Sequence, residues 1–161
     1  MSLATVSALN SVFEFDAEKS KIEITEALGD ISGFEVWGDQ VLVGVYCRPV
    51  ETKGRFLVGN ETQIEDVWQG KVAMVLKIGP DAFTENASTF NGRKPEVGDW
   101  VYHNVNEHTM QLQLIGKGAK RGKIKSPNGE EENARAWDGW PVRLVSGRNI
   151  YGRVVAPQIV L

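Results

Sequence analysis

Short β-rich runs separated by glycine and proline are the feature that most constrains the fold of this chain. The runs Val41–Cys47 and Lys71–Ile78 are almost wholly apolar. Pro49 follows the first run, and Gly79-Pro80 closes the second. Proline lacks the amide donor that a central strand needs, and glycine after an apolar run marks a turn. The first run therefore predicts a strand that is buried on both faces or bent at Gly44, and the second run predicts a strand of the same kind.

Four further runs carry the same signal. They are Trp100–Tyr102, residues 109–115, Val142–Val145 and Ile150–Val155. Six or more short strands at turn-punctuated spacing are typical of a small β-barrel or sandwich. Because 161 residues suit one domain with a real core, we predict an all-β domain over residues 34–161.

Two segments stand apart from this pattern. Residues 1–33 are predicted to be an N-terminal extension, in which Asp16 can cap a helix that Gly29 would end. Lys21–Thr25 also alternates between polar and apolar residues, so a strand is the alternative. Residues 116–135 carry a basic run and then an acidic run, which predicts an inserted, solvated hairpin or loop.

Composition and motifs favour binding or assembly over catalysis, and we expect no catalytic residue, metal or cofactor. Cys47 is the only cysteine, which excludes an intramolecular disulfide and a Cys-rich zinc site and makes a reducing compartment the default. His103 and His108 are predicted to be surface histidines. The net charge of −3 and the lack of aromatics in the basic run argue against nucleic acid. Without an apolar run of about 18 residues, no membrane span is expected.

The segment Glu51–Thr62 has two interpretations. Phe56, Leu57 and Val58 form an apolar triplet between glycines and charged residues, too short for a helical stripe or a long strand. One interpretation is a short edge strand or turn that buries Phe56 in the core. The other is a flexible loop that presents an apolar anchor to a partner, because such anchors concentrate binding energy in few side chains.

Several segments, taken in order, resemble the GroES-type small co-chaperonins. Gly38–Val43 is similar to the family's opening strand, Asp-Arg-Val-Leu-Val. Glu51–Val58 resembles the mobile-loop motif, Thr-Lys-Gly-Gly followed by an aliphatic triplet. Val97–Val101 matches Val-Gly-Asp-x-Val, and Val142–Val155 resembles the closing strands. The order and spacing of these motifs carry the resemblance, since no single motif is specific.

The resemblance implies a small irregular GroES-like β-barrel with a mobile loop and a roof-type hairpin at about residues 81–95. It implies a homo-oligomeric ring, expected to be a heptamer, which caps a GroEL-type chaperonin. The residues implied to bind the chaperonin are Phe56, Leu57 and Val58, with Thr52, Lys53 and Gly54 beside them. The residues implied at the subunit interface, where first and last strands pair between neighbours, are Val41, Val43, Ile150, Val154 and Val155.

The departures from the family pattern suggest a phage-encoded member. Arg55 stands where the family has glycine, and residues 1–33 and 116–135 are extra. Such elaboration resembles a ring that assists folding of a capsid protein in the cytoplasm of an infected bacterium. The alternative is a structural virion protein, a capsid decoration or cement subunit on the same barrel, because fold alone does not fix function. A third reading is a plain barrel-type interaction module.

Overall fold

The computed structural model describes residues 17–47, 70–106, 109–114, 123–125, 131–133 and 139–157. Within these residues the helix α1 covers residues 17–28. The strands are β1 (Gln40–Val45), β2 (Val72–Ile78), β3 (Trp100–His103), β4 (Met110–Leu114), β5 (Lys123–Lys125), β6 (Glu131–Asn133), β7 (Trp140–Ser146) and β8 (Ile150–Val154). Short 3-10 turns cover Ala87–Phe90 and Gly147–Asn149. None of the described helical residues forms a segment long and apolar enough to cross a membrane.

Six strands form one antiparallel sheet in the order β4-β7-β1-β2-β3-β8. β1 lies in the interior of the sheet and pairs with β7 on one side and β2 on the other. β4 and β8 are the two edges, and no hydrogen-bonded ladder joins them among the described strands. The mostly β architecture predicted from the sequence is therefore confirmed as a small β-rich fold, with an open sheet and one short helix.

Every run that the sequence predicts to be a strand contains one. β1 and β2 are buried along most of their length, as expected for strands covered on both faces. Their register shifts between Leu42 and Val43, which lie opposite Lys77 and Val75, so that Leu76 is an extra residue on β2. Such a bulge bends a strand and increases its twist.

Residues 17–28 are helical, so the prediction of a helix in the N-terminal extension is correct and the alternative of a strand is not. The helix α1 covers one face of the sheet. Ile24 is fully buried and lies over Gly44, where a Cβ atom would be 3.1 Å from the Ile24 Cγ2. The amide of Gly29 donates to the carbonyl of Thr25 at 3.0 Å, and the helix ends there as predicted. The side chains beneath α1 include Leu42, Met74, Leu76, Trp100, Trp140 and Val142.

The segment between β2 and β3 covers the other face. Phe83 packs on the valines of β1 and β2, and its ring meets that of Phe90 edge to face at 5.7 Å. Residues 79–99 contain a 3-10 turn and no strand. The segment expected to be a roof-type hairpin, at about residues 81–95, therefore differs from that expectation: it has no paired strands, and Phe83 is buried and Phe90 half-buried against the sheet.

The charged insertion contains the second, smaller sheet. β5 and β6 pair antiparallel, with Lys123 opposite Asn133 and Lys125 opposite Glu131. This pairing agrees with the prediction of a hairpin or loop in residues 116–135. β5 and β6 form a sheet of their own, separate from the six-stranded sheet.

Candidate interaction site

The residues predicted to bind a chaperonin lie outside the described residues, and the structure shows the base from which they depart. These residues are Thr52, Lys53, Gly54, Phe56, Leu57 and Val58. β1 ends at Val45 and β2 begins at Val72, and Val45 lies opposite Ala73 in the ladder. The described residues on either side of residues 48–69 therefore belong to two adjacent antiparallel strands. We call residues 45–47 and 70–72 the loop base.

Aromatic side chains and a backbone hydrogen bond hold the N-terminal half of the loop base. The indole Nε1 of Trp140 donates to the carbonyl of Val45 at 2.8 Å, and both groups are buried. The amide of Tyr46 donates to the carbonyl of Val72 at 3.0 Å. The Tyr46 ring meets the Trp100 ring edge to face, with centroids 5.6 Å apart. These contacts fix the point at which the chain leaves β1.

A buried arginine and histidine hold the C-terminal half. The Arg143 Nη1 donates to the carbonyl of Gly70 and lies 2.9 Å from the His103 Nε2. The amide of His103 donates to the carbonyl of Lys71 at 2.9 Å. Arg143 is 0% exposed and His103 is 3% exposed. Because a guanidinium can only donate, the His103 Nε2 must accept, which assigns His103 as neutral with its proton on Nδ1.

Burial determines the charge states of this pair. Burial, and after it the nearby positive charge of Arg143, together lower the pKa of His103 to about 4. Burial also lowers the pKa of Arg143, to about 10, although the electrostatic effect of Cys47 raises it. At neutral pH the imidazole is therefore neutral and the guanidinium is charged, as the hydrogen bond between them requires.

The prediction that His103 is a surface residue is wrong. His103 follows Val101 by two positions on β3, so its side chain shares the buried face of the strand. Arg143 is likewise in phase with the buried Val145 on β7, although nothing in the sequence analysis singled it out. His108 lies outside the described residues. In the part of the chain that the structure describes, no group of three His, Cys, Asp or Glu side chains is placed to hold a metal ion.

The residues implied at a subunit interface fall into two groups. Val41 and Val43 are 0% exposed and lie on the interior strand β1, where their backbone groups already pair on both sides. Neither residue is therefore accessible to a second subunit. Ile150 and Val154 are half-buried on the edge strand β8, and Val155 beside them is 66% exposed. The edge strand β8 is thus the accessible part of the implied interface.

A groove of about 490 Å³ lies beside the edge strand β8. Its lining includes Phe90, Arg93, Tyr102, Tyr151 and Arg153. The carboxylate of Asp99 lies 3.3 Å from the Arg93 Nη2 and 3.7 Å from the Arg153 Nη1, and that of Glu96 lies 3.7 Å from the Arg93 Nη2, so two carboxylates offset the positive charges of the two arginines. The groove therefore combines aromatic surface and a strand edge with little net charge.

The opposite end of β1 is closed by a tight backbone crossing. The amide of Gly79 donates to the carbonyl of Gln40 at 2.8 Å. A Cβ atom on Gly79 would lie 2.7 Å from that carbonyl oxygen and 3.0 Å from the carbonyl oxygen of Trp37. Beside it, the Ser146 Oγ donates to the Asp39 carboxylate at 2.7 Å, which lowers the pKa of Asp39. This end of the sheet is therefore a structural closure, remote from the loop base.

Comparison of the sequence with models of known protein families gives no match. Comparison with curated proteins likewise gives no match.

Proposed function

We propose that this protein is a co-chaperonin, whose ring caps a GroEL-type chaperonin and which has no catalytic activity of its own. The triplet Phe56-Leu57-Val58 is the chaperonin anchor, with Thr52, Lys53 and Gly54 beside it. The observation that supports this proposal is the loop base, because the segment carrying the triplet departs from two adjacent antiparallel strands. Buried side chains hold the loop base on either side of that segment, through the carbonyls of Val45 and Gly70.

The energetics of such an anchor suit a lid that must bind and leave. A loop that becomes ordered on binding pays conformational entropy at that moment, so one apolar triplet binds weakly. Several identical loops on one ring bind with avidity, because each bound loop raises the effective concentration of the next. The lid is then held firmly while all its loops are engaged and is released when the chaperonin grooves change shape.

In this proposal the sheet curls into a GroES-like barrel and the ring forms through β8. The register shifts at Leu42/Val43 and at Tyr102/His103 favour curvature, since bulges bend strands. β8 is an edge strand, and none of the described strands pairs with its outer side. In this proposal a second copy of the chain supplies the further strand. Ile150, Val154 and Val155 then lie at or beside the contact between subunits, which we expect to number seven in a ring.

The test is capture of the purified chain by a GroEL-type chaperonin with ATP, with ADP and without nucleotide. We expect nucleotide-dependent capture that Leu57→Asp abolishes. Ile22→Asp is the matched control, since Ile22 is an apolar residue 56% exposed on α1 and far from the loop segment in sequence. Capture of Leu57→Asp at the wild-type level, or no capture of the wild type in any nucleotide state, would contradict the proposal.

A structural virion protein is the second candidate, and the exposed apolar side chains near the Gly79 crossing favour it. Trp37 is 72% exposed and Val97 is 65% exposed, and neither belongs to the loop base or to β8. A capsid decoration or cement subunit needs such an additional contact surface for the capsid protein. This candidate expects many copies of the chain in purified particles, as measured by mass spectrometry, and location in the virion instead of the cytoplasm of the infected cell.

A further inference from the structure

We propose that Arg143 and His103 are positioning residues for the 48–69 segment. The buried guanidinium, oriented by the neutral imidazole, fixes the carbonyl of Gly70 and so sets where the segment rejoins the sheet. The proposal has a structural part, which concerns the loop base alone. Its consequence for chaperonin binding rests on the proposed function.

The position of Arg143 is one that an apolar side chain would ordinarily occupy. Arg143 lies opposite Val43 on β1, on the sheet face whose core consists of Val41, Ala73, Val75, Val101 and Val145. Burying a charge among apolar side chains carries a large desolvation cost, and apolar replacements of buried charges are often neutral or stabilising. Core stability alone therefore does not account for an arginine here, whereas a specific set of hydrogen bonds does.

The side chain of Arg143 connects elements that the sheet itself keeps apart. Arg143 belongs to β7, which is separated from β2 and β3 by β1. Its Nη1 nevertheless reaches both Gly70, which precedes β2, and His103, which ends β3. The His103 amide holds the next carbonyl, that of Lys71, at 2.9 Å. Two successive carbonyls that directly follow the segment, those of Gly70 and Lys71, are thus fixed by one linked pair of residues.

The pair holds this geometry only while His103 is neutral. Protonation would place an N–H group on Nε2 against the N–H group of Arg143, and two donors cannot hydrogen-bond to each other. The groups that face the pair from neighbouring elements are the Cys47 thiol, which acts on Arg143, and the backbone of Lys71, which accepts from His103. Acidification is therefore expected to loosen the hold on Gly70.

Amide hydrogen exchange on the free chain tests the structural part without any chaperonin. The amides of Tyr46 and His103 report on the loop base, because each donates across it. We expect Arg143→Met to speed their exchange by at least about tenfold, the effect of losing a hydrogen bond to a charged group. Arg148→Met, which removes an exposed arginine just after β7, should leave both rates unchanged. Unchanged rates in Arg143→Met, or a uniform increase across the whole sheet, would overturn the proposal.

Two substitutions at His103 separate positioning from simple packing. His103→Gln keeps an acceptor close to the position of Nε2, whereas His103→Leu fills the space without one. We expect His103→Gln to keep the wild-type protection factor of the Tyr46 amide at pH 7. It should lose the decrease in that protection factor that the wild type shows as the pH falls from about 6.5 to 4. His103→Leu should behave like Arg143→Met. Equal behaviour of the Gln and Leu variants would show that only volume matters at this position.

Chaperonin capture then tests the functional consequence. If the proposed function holds, Arg143→Met weakens capture about tenfold, by the same lost hydrogen bond, while Leu57→Asp abolishes it. Wild-type capture that Arg143→Met leaves unchanged would refute the positioning role. If the wild type itself is not captured, the co-chaperonin proposal fails, and the exchange results still decide whether Arg143 and His103 position the loop base.

Discussion

The neutral, buried His103 makes the stability of this protein depend on pH, and His103→Gln should remove that dependence. The pKa of His103 is about 4 in the folded chain, below the ordinary value of 6.5. Between about pH 4 and 6.5, His103 therefore binds a proton in the unfolded chain and does not bind one in the folded chain. This contribution to stability is complete above the ordinary pKa, is lost progressively as the pH falls through the window from about 6.5 to 4, and changes no further below it.

The size of the effect follows from the difference between the two pKa values. Each pKa unit corresponds to about 1.4 kcal/mol, so the full contribution of His103 is about 3 kcal/mol, of which about 2 kcal/mol is lost between pH 7 and pH 5. The assay is urea unfolding of the wild type and His103→Gln at half-unit steps from pH 7.5 to 4. Carboxylates titrate in both proteins, so the difference between the two curves isolates His103.

The expected result is a wild-type curve that falls more steeply than that of His103→Gln, with the gap changing by about 2 kcal/mol between pH 7 and pH 5. Parallel curves would refute the reasoning, because they would mean that the imidazole is protonated as readily in the folded chain as in the unfolded one. Below about pH 6.5 the Arg143 contact would then be a contact with an imidazolium, and the hydrogen bond to Nε2 would not determine the charge state of His103.

Three further substitutions test the geometry of the sheet by urea unfolding at pH 7. Gly79→Ala should destabilise the fold by about 3 kcal/mol, because its Cβ would meet the backbone oxygens of Gln40 and Trp37, and wild-type stability would contradict the described crossing. Gly44→Ala should cost only about 1 kcal/mol, since the obstructing atoms belong to the side chains of Ile24 and Leu76, which can shift; a larger loss than in Gly79→Ala would reverse our ranking. Trp140→Phe should cost about 1–2 kcal/mol by leaving the buried carbonyl of Val45 without its indole donor, and an unchanged midpoint would show that this hydrogen bond contributes nothing.

The strands could be predicted from the sequence because their signals are local. Runs of β-branched residues such as Val41–Val45 favour a strand, and turn residues such as Gly79-Pro80 end one, within a few residues along the chain. The structure places a strand in every predicted run. The end of α1 at Gly29 was predictable for the same reason. The choice between helix and strand for α1 was open, because Lys21–Thr25 fits both periods and packing on the sheet decides between them.

The features that sequence reasoning missed depend on distant parts of the chain. His103 and Arg143 meet across four strands, and neither residue alone indicates that the other will be its partner. The burial of His103 could have been inferred from its alternation with Val101. The packing of Phe83 on the second face could not, since it requires knowing that α1, the helix of the described residues, packs on the other face.

The interior position of β1 has a consequence for synthesis of the chain. Val41 pairs with Val145, roughly 100 residues later, so the edge of β1 that β7 covers stays open until most of the chain has been made. At a synthesis rate of about 5–20 residues per second, that edge of β1 stays unpaired for roughly 5–20 s before β7 has been made. An apolar strand with an open edge is prone to pair with other chains. Expression yield should therefore respond to elongation rate and to factors that shield nascent chains, even for variants whose finished fold is as stable as the wild type.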